Sequence, residues 1–464
     1  MHELVLQHQF KQARLLLNDA DPADEDVIYL HSLSDFIQIH ITEDQEKLPE
    51  FKAKIKNRID VLEDQPSARA RFVTAVLHIE LTVTKARFEE YFSAAMEFRR
   101  AYGIIRDLTD DFPDYQPGRM LQGLSLILFG SIPEQYNWAI RALNIKGDVH
   151  EGLQILDDVF LYFRDHPSDY LMAESLLFLT FSHRSFNNTP EALNMAYQYY
   201  QLPKVQSLTR RSPFMRYSYA ALLIDMGDND KAIGCLNQPY PVQPEIPYYY
   251  VDYYLRGMCL LHKLDYKSED YFQAYINSYP GKSYKKASVQ KLAWIELLSN
   301  GQSSYTKMLK QVNQYQNSIF SADQSAQKEF EQQEVPNKVL LKVRILFDGG
   351  YYDEALKVLV SHKPSENYTS TKDGLEFTYR LGRIHDKRSN SKKAKAFYTL
   401  TIKNGRSLPY YYAANAALHL GKIHLHEKNF DQAKKAFRDC LSMRPDTYRS
   451  SIHQKAKAYL QKLE

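Results

Sequence analysis

The sequence predicts an all-α protein, a right-handed α-solenoid of stacked helix pairs, and three observations carry that prediction. Only 17 of the 464 residues are glycine, about half the usual share of roughly 7%, so tight β-turns and phosphate-cradling loops are scarce. Apolar residues recur at helical spacing along most of the chain. The C-terminal third repeats itself with a period of 39 residues, and a fixed period of this length marks a repeat architecture.

Composition narrows the function classes. With 44% apolar and 25% charged residues the chain has ample material for a core. A net charge of +3, with no run of five or six like charges, gives no electrostatic footprint for nucleic acid or anionic lipid. No stretch of about 18 apolar residues is present, so no membrane span is expected. Cys235, Cys259 and Cys440 are odd in number and scattered in apolar helical contexts, which reads as core packing, with neither a disulfide framework nor a metal site.

Taken in chain order, Phe10, Ala13 and Leu16-Leu17 look like the second helix of a repeat whose partner is missing, since only nine residues precede Phe10. Either an upstream segment completes the unit or another element covers its apolar face. An exported location is slightly favoured by this, with the cytoplasm as the alternative, although nothing at Met1 reads as a signal peptide. Asp26 to Ile41 with Leu48 to Leu62, and Ala68 to Thr84 with Ala86 to Leu108, read as two long helix pairs. Phe112 to Pro117, with two prolines, separates this irregular N-terminal block (1–112) from a more regular array (113–317). There Gly152, Ala192, Ala232 and Ser268 mark successive units at spacings of 40, 40 and 36. Tyr284 to Leu298 and Tyr305 to Tyr315 form another pair. The polar stretch 318–336 lacks a repeat and is expected to be a loop or short linking helix. Three regular units and a C-terminal helix occupy 337–464, which brings the expected total to about eleven pairs.

In those last three units Ala355, Ala394 and Ala433 coincide, as do Leu359, Tyr398 and Phe437, and Val343, Gly382 and Gly421 form a third column. A small residue on the first helix and alanine on the second let two axes approach, and the large residue four positions on fills the gap. Leu420-Gly421, Ala433, Phe437 and Pro445 stand at the Leu-Gly, Ala, Phe and Pro positions of the tetratricopeptide repeat, which the array resembles. Leu346, His385 and His424 depart from that motif's aromatic column, and each unit is five residues longer than the usual 34. Three segments, residues 130–153 around Trp138, 337–356 and 410–458, resemble more narrowly the tetratricopeptide repeat 39 family and its Bacteroidetes-like bacterial relatives. That resemblance implies a scaffold or adaptor with no catalytic residues, and in its bacterial branch a cleavable export signal.

Motifs for nucleotide binding, metalloprotease, serine hydrolase or kinase chemistry are absent from the sequence, so neither catalysis nor a cofactor is expected. His424 and His426 diverge on one helix and cannot share a metal. Asp110-Asp111 and Asp157-Asp158 are expected at solvated helix ends. The runs Tyr248-Tyr249-Tyr250 with Tyr253-Tyr254, and Tyr410-Tyr411-Tyr412, are read chiefly as packing between repeats, with an aromatic groove wall as the alternative. One functional signal remains. Arg344, Arg383 and Lys422 are successive equivalents in the 39-residue register. The tetratricopeptide resemblance implies that this position faces a peptide-binding groove, where a cation ladder would hold an acidic segment or a C-terminal carboxylate. Leu341, Arg380 and His419 form a neighbouring column, and Asn337, Glu376 and Asn415 another; Arg380, Asn337 and Asn415 join the candidate ligand-binding set. An exposed helical face must be polar in any case, and the Lys/Asn order of the known carboxylate clamp is not reproduced. The expected function is thus a protein-interaction scaffold, with an enzyme or accessory subunit whose site is built from separated residues, or a small-ligand or lipid-binding sensor, as alternatives.

Overall fold

The computed structural model describes residues 2–63, 65–130, 147–166, 169–238, 250–362 and 370–463. Trp138, Tyr248 and Tyr249 lie outside the described residues. All regular structure in the described residues is helical, with no strand, and the fold is an all-α solenoid of helical repeats. The chain divides into two compact units, one holding residues 1–259, 267–292 and 309–332, the other 260–266, 293–308 and 333–464.

In the first unit the helix Glu25–Thr42 is buried on several sides, through Val27, Ile28, Tyr29, Leu30, Ile37, Ile39 and Ile41. Asp24 starts it by accepting from the amides of Asp26 and Val27 at 2.9 and 3.1 Å, which satisfies donors that a helix N-terminus leaves unpaired. Polar side chains also lie on this helix, and several are matched to a partner. The Tyr29 hydroxyl donates to Glu174 at 2.5 Å, and Asp35 pairs with Arg14 at 2.8 Å and Arg58 at 2.5 Å. At its C-terminal end Glu43 sits at φ +49°. Its carboxylate takes the Arg87 Nε at 2.5 Å, the amides of Lys282 and Ser283 at 2.8 and 3.0 Å, and the Ser283 hydroxyl. These bonds join segments some 240 residues apart in sequence.

The expected pairs form with small shifts in their ends, as Ala68–Arg87 with Tyr91–Asp111 and Glu25–Thr42 with Leu48–Leu62. The marker residues Gly152, Ala192, Ala232 and Ser268 are all buried. Gly152 meets Gly123 so closely that a Cβ on it would lie 2.5 Å from the Gly123 carbonyl oxygen. The apolar face of Phe10–Leu17 is covered within the unit, with Phe10, Ala13, Ile37 and Ile41 clustering alongside Phe214 and Tyr250, while Leu15 and Leu16 remain exposed. The polar stretch after Ser318 contains a helix, Ser321–Gln332, held by Asp323, whose carboxylate accepts the Ala287 amide at 2.8 Å.

The second unit shows the 39-residue register as packing. Ala355, Ala394 and Ala433 are fully buried, and so are Leu359, Tyr398 and Phe437. A Cβ on Gly382 would lie 2.6 Å from Tyr398 Cδ1, and Gly421 lies equally close under the Phe437 ring. In the remaining repeat the small position is Val343, and the residue opposite is the shorter Leu359 in the same buried cluster. Glycine faces a large ring in two repeats and two residues of middle size meet in the third, so the gap is filled in each, as close packing requires. Each first helix also ends in the same way. The amides of Tyr351, Asn390 and Asn429 donate to the carbonyls of Leu346, His385 and His424 at 2.9, 2.8 and 2.8 Å. Just before them Gly350, Ser389 and Lys428 adopt φ of +86°, +56° and +61°. This is the wide helix-terminating bond of a Schellman motif, repeated every 39 residues.

Two expectations follow. Leu359→Tyr alone should overpack its repeat and cost about 1–3 kcal/mol, whereas Val343→Gly combined with it should recover much of that loss; additive effects in a double-mutant cycle read by urea unfolding would contradict the volume matching. Glu80 is 3% exposed, accepts the Ser32 hydroxyl, and has its carboxyl pushed by burial from 4.5 to about 8. The folded state thus keeps a proton that the unfolded chain releases, so this contribution to stability is complete below pH 4.5 and lost as pH rises to about 8. Melting curves of Glu80→Gln and the parent should diverge in favour of the variant over that interval.

Candidate functional site

The three ladder cations stand on the first helices of successive repeats, Lys338–Asp348, Thr371–Lys387 and Tyr412–His426. All three are half-buried. Each lies over an aromatic ring: Arg344 is 4.9 Å from the centre of Trp294, Arg383 is 4.9 Å from Phe347, and Lys422 is 5.6 Å from Tyr459. A cation over a ring face is held by the ring's quadrupole without losing its charge to a carboxylate. Arg383 also donates to the Tyr379 hydroxyl at 2.9 Å. Arg344 has Asp348 3.8 Å away, one helical turn on.

The other candidates have structural work. Arg380 is 6% exposed and bonds Glu376 through Nε at 3.0 Å and a terminal nitrogen at 2.7 Å. Glu376 also accepts the Tyr412 hydroxyl at 2.5 Å. Burial alone would raise the Glu376 pKa, but the Arg380 charge and these hydrogen bonds outweigh it and hold the carboxyl below its ordinary value. Asn337 caps its helix, accepting the amides of Val339 and Leu340 at 3.0 and 3.2 Å. Asn415 donates to the Tyr379 hydroxyl at 2.7 Å. Asn415 thereby holds the Tyr379 ring, which lies 5.8 Å from Arg383, an indirect role in the face.

Sequence reading missed Lys387 and Lys455. Both are exposed, and among the described residues neither has a carboxylate within ion-pair distance. Partial desolvation by neighbouring protein lowers the pKa of each even so, reinforced at Lys387 by Arg383 and Lys422 and at Lys455 by Lys422 and Arg383. His419 is stacked on Tyr398 at 5.7 Å and lies 3.9 Å from an Asp386 oxygen. Its pKa falls well below 6.5 through burial and then through Arg383, Lys422, Lys455 and Lys387. Asp386 accepts the Tyr398 hydroxyl at 3.1 Å, and burial raises its pKa despite the cations. The Arg383–Lys387 pair was visible as an i, i+4 spacing; Lys455 falls on a helix outside the 39-residue register.

Other sequence candidates find ordinary places. Cys235, Cys259 and Cys440 are free thiols and buried. Tyr254 packs with Phe272, Tyr275 and Tyr284 at 5.9, 6.0 and 4.8 Å, and Tyr411 with Tyr412 and Tyr448 at 4.4 and 5.1 Å. The expectation that Asp157-Asp158 lies at a helix end is corrected: both are inside Val149–Asp165, where Tyr199 donates to Asp157 at 2.6 Å and Arg119 lies 3.8 Å from Asp158. No described helix is long and apolar enough to cross a membrane.

Residues 414–447 match the tetratricopeptide repeat model, so a tetratricopeptide repeat spans Tyr412–His426 and Phe430–Ser442 almost entirely. Among curated proteins, none matches the chain. Similar solved structures include the TPR domain of P58(IPK), 13% identical over 94% of this chain and 98% of that one, with a TM-score of 0.22. Yeast Tom70 is 14% identical over 99% of this chain and 95% of that one, with a TM-score of 0.29. A circular tandem repeat protein is 10% identical over 100% and 95%, with a TM-score of 0.17. Likenesses at this level carry no argument about ligand or site.

The division between structural and available cations is testable. Arg380→Ala leaves Glu376 unpaired in a buried place and should destabilise the protein by about 3–5 kcal/mol, whereas Lys387→Ala should change stability by less than about 0.5 kcal/mol. Denaturant unfolding of the two variants gives the comparison.

Proposed function

We propose that the chain is a non-catalytic interaction scaffold that holds an extended, carboxylate-bearing peptide or protein segment along Arg344, Arg383 and Lys422. The observation that supports this is the ladder itself: three cations 39 residues apart, each supported by an aromatic ring, beside an Arg380 that is fully occupied by Glu376. A repeat that needed polarity only for solvation has no use for aromatic supports under its charges. The rings restrict the long side chains before a ligand arrives, which lowers the entropy lost on binding. Tetratricopeptide arrays bind peptides along the first helices of their repeats, and these residues occupy first helices. In this reading the likeness to the tetratricopeptide repeat 39 family and its exported bacterial relatives favours an adaptor working outside the cytoplasm.

A direct measurement uses the full chain and two fluorescein-labelled 12-residue peptides, one of alternating Glu and Gly and one with Gln for Glu. Fluorescence anisotropy should show binding of the Glu peptide, weakened at least about tenfold when Arg344, Arg383 and Lys422 are all changed to Gln, and weakened also by salt. Equal binding of the Glu and Gln peptides, or no response to the triple change in a variant with a native melting curve, would refute the proposal.

A further inference from the structure

We propose that a cleft on the helix Tyr91–Asp111 of the first unit binds a small organic acid, one that joins a carboxylate and a hydroxyl through a ring-sized apolar body. The site lies apart from the cation ladder and does not depend on the scaffold reading. Its volume is about 470 Å³, within the range of small-molecule sites. Gly103 opens it. Glycine in a helix interior is less stable than alanine, and at Gly382 and Gly421 the close seating of a tyrosine or phenylalanine ring offsets that loss. At Gly103 no heavy atom lies within 4 Å of the place a Cβ would take, and its φ is not positive. Neither packing nor backbone geometry calls for glycine there, and the missing side chain leaves open space. Met96 and Ile104 give that space an apolar wall.

The polar groups of the lining have assigned roles. His78 reaches the cleft from the helix Ala68–Arg87 and is 8% exposed. Its Nδ1 bonds Glu97 at 2.8 Å, and Glu97 also accepts from Lys85 at 2.9 Å and Arg100 at 3.0 Å. Burial alone would raise the Glu97 pKa, but the bonds from Lys85 and His78 outweigh it, so Glu97 is an ionised acceptor and Nδ1 is the donor. Burial holds the His78 pKa below 6.5 despite Glu97, so at pH 7 the ring is neutral and Nε2 carries a lone pair. Among the described residues nothing hydrogen-bonds Nε2, which leaves it to accept from a hydroxyl in the cleft. Arg99 supplies the charge. It lines the cleft, is exposed, and among the described residues has no carboxylate within ion-pair distance. Asp107, the acid in the lining, is held by Arg106 at 2.8 Å. A ligand carboxylate at Arg99 gains charge-assisted bonds, and an aromatic body over Gly103 gains the Met96 sulfur as a neighbour.

The test uses the full-length protein and three probes in titration calorimetry: para-hydroxyphenylpropionate, phenylpropionate, which lacks the hydroxyl, and para-ethylphenol, which lacks the carboxylate. The hydroxy acid should bind at least about tenfold tighter than either of the others. Arg99→Gln should abolish its advantage over para-ethylphenol. Gly103→Leu fills the cleft without touching a polar group and should abolish binding of all three, whereas Gly374→Leu, at another helix glycine with open space where a Cβ would stand, should leave binding unchanged. Should Gly103→Leu fail to fold, Arg99→Gln, a change at an exposed residue, carries the decision. The imidazole resonances of His78, followed by NMR, should move on addition of the hydroxy acid. No binding of the hydroxy acid in the millimolar range, equal affinity for the three probes, binding that survives in a folded Gly103→Leu, or unmoved His78 resonances would each overturn the proposal. Tighter binding of acetyl-Gly-Gly-Tyr, a peptide whose C-terminal residue carries the same phenol and carboxylate, would overturn the assignment to a free small molecule. None of these outcomes bears on the ladder, which the Glu and Gln peptides test separately.

Discussion

Contact between a small residue on one helix and a large buried side chain on the next governs the second unit. Gly382 under Tyr398 and Gly421 under Phe437 leave no room for a Cβ, so the two helices of each repeat approach to the limit that backbone allows. Close approach fixes the rotation of each helix about its axis, because only the glycine face fits. Once rotation is fixed, the residue one position after the small column must emerge on the neighbouring face. Arg344, Arg383 and Lys422 are those residues. The candidate site is therefore a consequence of core packing and does not depend on loops for its geometry.

The ends of the helices reinforce the same register. Leu346, His385 and His424 looked like departures from the tetratricopeptide motif, yet their carbonyls accept the terminating bonds from Tyr351, Asn390 and Asn429. A backbone function tolerates leucine or histidine equally, which explains why side-chain identity is free in that column. Positive φ at Gly350, Ser389 and Lys428 shows the converse: geometry persists where glycine does not, since the repeated hydrogen bonds offset the modest strain of a left-handed residue.

Helix pairing and the 39-residue step were legible in the sequence because they arise from residue size and apolar spacing, which one chain displays directly. Ala355, Ala394 and Ala433 announce the packing by themselves. Less legible was which polar residues are occupied. Arg380 and Arg383 are three positions apart on one helix, but Arg380 meets Glu376 and Arg383 meets rings from Phe347 and Tyr379. The Arg383–Phe347 contact crosses from one repeat to another, beyond any local window. Lys455 joins the cationic group from a helix that follows the last full repeat, so no register pointed to it. The N-terminal face raised the same difficulty: Phe10 and Ala13 are covered by a cluster with Ile37 and Ile41 and by Phe214 and Tyr250, contacts that the sequence order hides.

Both units match buried charge with partners from the chain itself, and this separates structural ions from those on the candidate face. In the first, Glu43 receives four donors and Asp35 two arginines. Desolvation of such groups is offset only when every lone pair finds a donor, and there the chain itself completes the set. In the second, Arg380 and Glu376 are matched in the same manner, while Arg344, Arg383 and Lys422 lie over aromatic rings. Rings beneath the charges restrict the long side chains, and the helix pairing that creates the face fixes where those rings stand, so the face is ordered before any ligand reaches it.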